Sequence, residues 1–188
     1  MCSNTVKNII TNTEKLIKKC SPGGDIYGCA PKSAINKLKT LPFDRLLSMT
    51  THLPKLENIE KPTVAEQIIE KAVVGSIIEF WLTTFFYIYA EDYNNNPIKD
   101  RSGKTIKLKD LNFSSASSKS KDTLFLFDDL DLNEWVEETR KLRNAIHIKD
   151  NIGLNGKKSI KEDLESLMNF SNLILDRIPE IDYLEAIS

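Results

Sequence analysis

The chain has 188 residues, enough for one domain or for one domain with an appendage. With 40% hydrophobic and 28% charged residues it can bury a core, and this balance argues for a soluble protein and against disorder. A formal net charge of -1 excludes nucleic-acid binding through a field over the whole surface, so any such contact must be a local basic patch.

Residues 4–20 predict a first helix, with Val6, Ile9, Ile10, Thr13, Leu16 and Ile17 at helical spacing. SPGGDIYG (21–28) breaks it, since proline and glycine do not continue a helix. Short helical pieces are expected at 32–39 and 43–50, and THLPKLENIEKP (51–62) reads as a connector. Residues 1–61 are thus expected to form an N-terminal helical segment packing on a bundle made by 62–188. A second helix should start at the Thr63/Glu66 capping-box pattern and run to about Glu91. Its stretch 72–90, AVVGSIIEFWLTTFFYIYA, is nearly long enough to span a bilayer. Glu79 at its centre and the acidic Glu91 and Asp92 after it argue for the central helix of a soluble bundle and against a membrane segment.

Residues 92–122 are polar and read as an insertion, with a small β-hairpin around Ser102-Gly103 and a mobile low-complexity stretch, SSASSKSKD. Asp131 with Glu134 predicts a capped third helix ending near His147, and DNIGLNGK (150–157) predicts a turn. Ser159 with Glu162 predicts a fourth helix, stopped by Pro179. The expected fold class is therefore all-α, an antiparallel four-helix-type bundle with a polar loop or small β-hairpin insertion at about 92–122.

Three cysteines, Cys2, Cys20 and Cys29, form no CxxC pair, and no signal peptide is evident; a reducing, cytoplasmic setting follows. Two histidines, neither near the cysteines, offer no convincing zinc set, so neither metal nor cofactor is expected.

WVEETRKLRNAIHI (135–148) carries the chemistry. On a helical wheel Leu132, Trp135, Thr139, Leu142 and Ile146 fall within roughly 80°, a core stripe. Arg140, Arg143, Asn144 and His147 share a neighbouring arc, and Glu137 with Lys141 reads as a surface pair. Such an arc is often a solvated basic face near a helix C-terminus, where cations suit the macrodipole. It is also a set that RNA cleavage by 2′-hydroxyl attack can use. Histidine titrates in the range for proton transfer, guanidinium groups answer the charge on phosphate oxygens, and asparagine orients the imidazole or donates to phosphate.

RKLRNAIHI resembles the signature of the HEPN superfamily (higher eukaryotes and prokaryotes nucleotide-binding domain). There an arginine, commonly followed by asparagine, is separated from a histidine by four to six residues on a helix. Arg140 matches, with six residues between it and His147; Arg143-Asn144 has the Arg-Asn pair but only three residues between Arg143 and His147, and Ile148 stands where one branch has proline. GSIIEF (75–80) is similar to the G-x-x-x-E segment of the family's preceding helix, which would pair Glu79 with an arginine of the third helix. The resemblance implies a helical bundle, commonly homodimeric. It further implies a metal-independent endoribonuclease of a prokaryotic toxin or antiviral defence system, acting on RNA, with an antitoxin or defence-complex protein as further partner. The catalytic set would be Arg140, Arg143, Asn144 and His147, with Glu79 supporting. The alternative it implies is a catalytically inactive module that binds nucleotide, RNA or a partner protein.

Overall fold

The Ser3 hydroxyl accepts the Val6 N–H at 3.2 Å and starts α1 (Asn4–Cys20), whose Val6, Ile9, Thr13, Leu16 and Cys20 turn inward. The structure is a computed structural model and describes residues 2–100, 102–125, 129–144 and 159–179. After α1 the chain doubles back so tightly that a Cβ on Gly24 would stand 2.0 Å from the Lys18 carbonyl oxygen. Only glycine fits there. The expected break is therefore short: α2 (Asp25–Cys29) begins at once, inside SPGGDIYG. Next come α3 (Lys32–Leu38) and α4 (Phe43–Glu57).

The connector expected over 51–62 is corrected, because α4 runs through Pro54 to Glu57. Thr50, Leu53 and Leu56 are buried at helical spacing, and their burial outweighs the one backbone bond that proline removes. The end of α4 is also tied to α1, where Glu57 Oε2 accepts the Ser3 N–H at 3.0 Å.

α5 (Val64–Ile88) starts at the expected box, with Thr63 and Glu66 capping each other reciprocally. It packs against α3 and α4 and, further along the chain, against α7 (Phe113–Thr123), α8 (Leu130–Asn144) and α9 (Ile160–Arg177). Neighbours on so many sides explain why it is apolar all round. It is long and apolar enough to cross a membrane, but 61% of its most apolar stretch is buried inside the protein. Tyr89 interrupts it, and α6 (Ala90–Asn95) follows.

The insertion reading of 92–122 is corrected in two places. The hairpin is one antiparallel bridge, Lys99 to Thr105, over a turn closed by Asp100 Oδ1. SSASSKSKD is helical rather than loose, being most of α7, capped by Asn112 and Ser115. Its serines are small enough to let the helix lie close to its neighbours, and Ser115, Ser117 and Ser120 are buried. Phe113, Ala116, Leu124 and Phe125 join the same core as the rest of the chain.

α8 begins at Leu130, so Asp131 sits in its first turn and is not its cap. α9 has the expected Ser159/Glu162 box and ends at Arg177, with Ile178 as its C-cap just before Pro179. α1 lies against α9, where the Asn12 amide donates to Ser171 Oγ at 2.8 Å and Asn172 Oδ1 at 2.7 Å. Residues 4–57 therefore contribute Val6, Ile9, Leu16, Leu46 and Leu53 to one continuous core with α5 and α9. The protein is all-α.

Candidate functional site

Gly75 and Glu79 lie one turn apart on α5 and so share a face. That face receives Arg143 from the last turn of α8. A Cβ on Gly75 would stand 2.9 Å from Arg143 Cδ and 3.2 Å from Arg143 Cβ, so the bare glycine is the floor on which the arginine stem lies. One turn on, Glu79 Oε2 meets Arg143 Nη1 at 2.6 Å. The other carboxylate oxygen accepts the N–H of Phe113 at 3.0 Å, occupying an orphan donor at the start of α7. The Phe113 ring covers the guanidinium at 5.6 Å.

Both charged side chains are between a quarter and a third exposed, at 28% and 29%. Ion pairs this wet contribute about 0–1 kcal/mol, and the ring contact about 0.5–1 kcal/mol. The cluster therefore adds little stability. What it does is fix where one guanidinium points while leaving Nε and Nη2 without a hydrogen-bond partner among the described residues. Asn144, next in the chain, is exposed. Glu79 is half-buried, not enclosed.

Arg140 is held differently. Its Nε and Nη2 both donate to Glu137 Oε2, at 3.1 and 2.9 Å. Glu137 Oε1 accepts the Ser117 hydroxyl of α7. Burial pushes the Glu137 carboxyl up, but Ser117 and Arg140 together hold it below its ordinary value. Lys141, the expected partner, acts on Glu137 as a further favourable charge, while the hydrogen bonds form a tie between α7 and α8 to which Arg140 belongs. The structure brings Glu79 and Arg143 together and gives Arg140 a separate carboxylate. His147, Ile146 and the turn expected over 150–157 lie outside the described residues.

A second polar group escaped the sequence reading. Lys71 on α5 contacts Asp163 on α9, and Asp163 Oδ1 accepts the indole N–H of Trp135 on α8 at 2.8 Å. All three are buried. Glu70 Oε1 lies 3.4 Å from the Lys71 ammonium, off the line a hydrogen bond needs, so it has an ion-pair partner but no donor. Burial pushes the Glu70 carboxyl up against the lowering effect of Lys71, and burial pushes the Lys71 ammonium down against Glu70, Glu138 and Glu162. The signal available in the sequence was Glu70-Lys71 entering an otherwise apolar helix. Glu70 and Lys71 also line a cavity of about 610 Å³ whose walls do not include Arg143. Among the described residues no group of three His, Cys, Asp or Glu could hold a metal ion.

Comparison of the chain with family models, curated proteins and solved structures gives no match. Fold and site together define an all-helical protein whose central helix clamps a surface arginine of its neighbour.

The Gly75 floor gives a direct expectation. Gly75→Ala moves the Arg143 stem by a few tenths of an ångström, and Arg143 Cβ is anchored to the α8 backbone. We expect a fold retained by circular dichroism, a modest loss of thermal stability, and about a tenfold loss in whatever activity Arg143 supports. An alanine variant as active and as stable as the parent would show that this close approach does not position the arginine.

Proposed function

We propose that the protein is a metal-independent endoribonuclease in which Arg143 and His147 act on one phosphodiester. The observation that carries this reading is the clamped but incompletely satisfied Arg143 guanidinium, beside exposed Asn144 and four residues before His147 in the sequence. The RNA 2′-oxygen attacks phosphorus and the bond to the 5′-oxygen breaks. His147 takes the 2′-hydroxyl proton or supplies one to the leaving oxygen. Arg143 answers the charge gathering on the non-bridging oxygens with its remaining N–H groups, and Asn144 donates to the phosphate or orients the imidazole. Arg140 and Glu79 support that geometry. The products are a 2′,3′-cyclic phosphate, or a 3′-phosphate after its hydrolysis, and a 5′-hydroxyl.

Assignment to a cytoplasmic prokaryotic toxin or antiviral defence system, with an antitoxin or defence-complex partner, rests on the resemblance of RKLRNAIHI alone. A homodimer is part of the proposal because a net charge of -1 leaves one copy little positive surface to hold an RNA backbone, and the resemblance implies a dimer. The second reading is an inactive binding module of the same shape. It is favoured by the carboxylates already paired with both arginines, which reduce the positive potential offered to RNA.

The test is cleavage of purified RNA with and without EDTA, with end-group analysis and light scattering on the same preparation. Cleavage that persists in chelator, leaves cyclic or 3′-phosphate ends and comes from a dimer is the expected result. Complete loss in EDTA with recovery in Mg²⁺ would overturn the mechanism, and activity from a strictly monomeric protein would overturn the dimer.

A further inference from the structure

Beyond Glu79, α5 continues into a second polar–apolar junction. Phe85, Phe86, Tyr89 and Tyr93 form a connected ring cluster, with centroids 4.9 Å apart for Phe85–Tyr89, 5.5 Å for Phe85–Phe86 and 6.0 Å for Phe86–Tyr93. They wall a cavity of about 500 Å³, within the size range of small-ligand sites. Lys119 of α7 and Arg177 at the end of α9 also line it. Unlike Arg140, Arg143 and Lys71, neither of these cations has a carboxylate within ion-pair distance among the described residues, although Asp92 shares the rim. Apolar ring walls with net positive charge at the mouth suit a planar group that carries an anion.

We propose that this cavity takes one nucleotide unit of single-stranded RNA, its base against Tyr89, the ring left half-buried in front of the buried Phe85, Phe86 and Tyr93, and its phosphate between Lys119 and Arg177. Identification of that nucleotide as part of RNA rests on the ribonuclease reading. The placement fits it. Phe85 lies six residues past Glu79 on α5 and Lys119 six past Phe113 on α7, so both walls are displaced from the Glu79–Phe113 junction by roughly 9 Å along their helices and about 120° around them. The subsite would thus serve a nucleotide on the strand away from the scissile phosphate. Base–aromatic contact is tolerant of base identity, so the subsite would add affinity with little sequence preference.

Calorimetric titration with adenosine monophosphate, adenosine and inorganic phosphate tests the proposal, using the wild type and Lys119→Ala/Arg177→Ala, both checked for folding by circular dichroism. We expect saturable binding of the monophosphate, weaker by at least about tenfold in the double variant. Adenosine or phosphate alone should bind the wild type at least about tenfold more weakly than the monophosphate. No monophosphate binding up to millimolar concentration, equal binding of phosphate alone, or an unchanged double variant would each overturn the subsite. RNA cleavage without monophosphate binding overturns the subsite and leaves the ribonuclease reading standing. Monophosphate binding that depends on Lys119 and Arg177, without RNA cleavage, supports the pocket and overturns the ribonuclease reading instead.

Discussion

Arg143→Lys is expected to lower single-turnover RNA cleavage by at least about a hundredfold with the fold intact, corresponding to roughly 3 kcal/mol of lost transition-state stabilisation. The charge survives this change but the planar fork does not. In the native protein one edge of that fork is spent on Glu79, and the remaining donors are the part available to a phosphate. An ammonium held by Glu79 keeps no such second edge. Arg140→Lys should lose clearly less, because the Arg140 guanidinium is committed to Glu137 and its partner Ser117. If Arg140→Lys is dead and Arg143→Lys cleaves normally, the longer spacing to His147 is the working one and the two roles are exchanged.

Asp163→Ala should be the most damaging single change to stability. Removing one member of a buried ion pair leaves the other charge desolvated without its partner, a loss of about 3–5 kcal/mol. Here Lys71 would lose its closest carboxylate, and the Trp135 indole would lose its acceptor inside the core. Urea denaturation measures the effect. A double variant, Lys71→Met/Asp163→Leu, should recover much of the loss, because apolar side chains of similar size replace a buried pair at small net cost. A loss below about 1 kcal/mol for Asp163→Ala would mean that solvent reaches the pair.

The helices bounded by local chemistry were legible in the sequence. Thr63/Glu66 and Ser159/Glu162 are reciprocal caps whose signature is short and contiguous, and both stand where expected. α7 was not legible, because a serine-rich stretch has weak helix propensity and no apolar period. Its helix depends on burial against α5 and α8 and on the cap at Asn112, neither of which a local pattern displays. α4 was cut short for the opposite reason, since Pro54 is a strong local signal overridden by tertiary burial. Within the candidate site, the pairing of Glu79 with an arginine of α8 was expected from the resemblance of GSIIEF alone, and the structure contains that pair. The sequence did not disclose which arginine would be taken, nor that Glu137 would take its hydrogen bonds from Arg140 and Ser117. Those choices depend on how α7 lies beside α8. The Lys71–Asp163–Trp135 network was hidden because its members sit 92 and 28 residues apart in the chain.

The central claim is that this chain cleaves RNA through Arg143, in the last turn of α8, and His147, four residues further along the chain. It is tested most directly by incubating purified wild type and His147→Ala with the same RNA in EDTA and following RNA length over time. The account predicts progressive shortening by the wild type and intact RNA with the variant, both proteins giving the same helical circular dichroism. Intact RNA with both proteins would contradict the enzyme and leave the binding module, and equal cleavage by both would remove His147 from the chemistry.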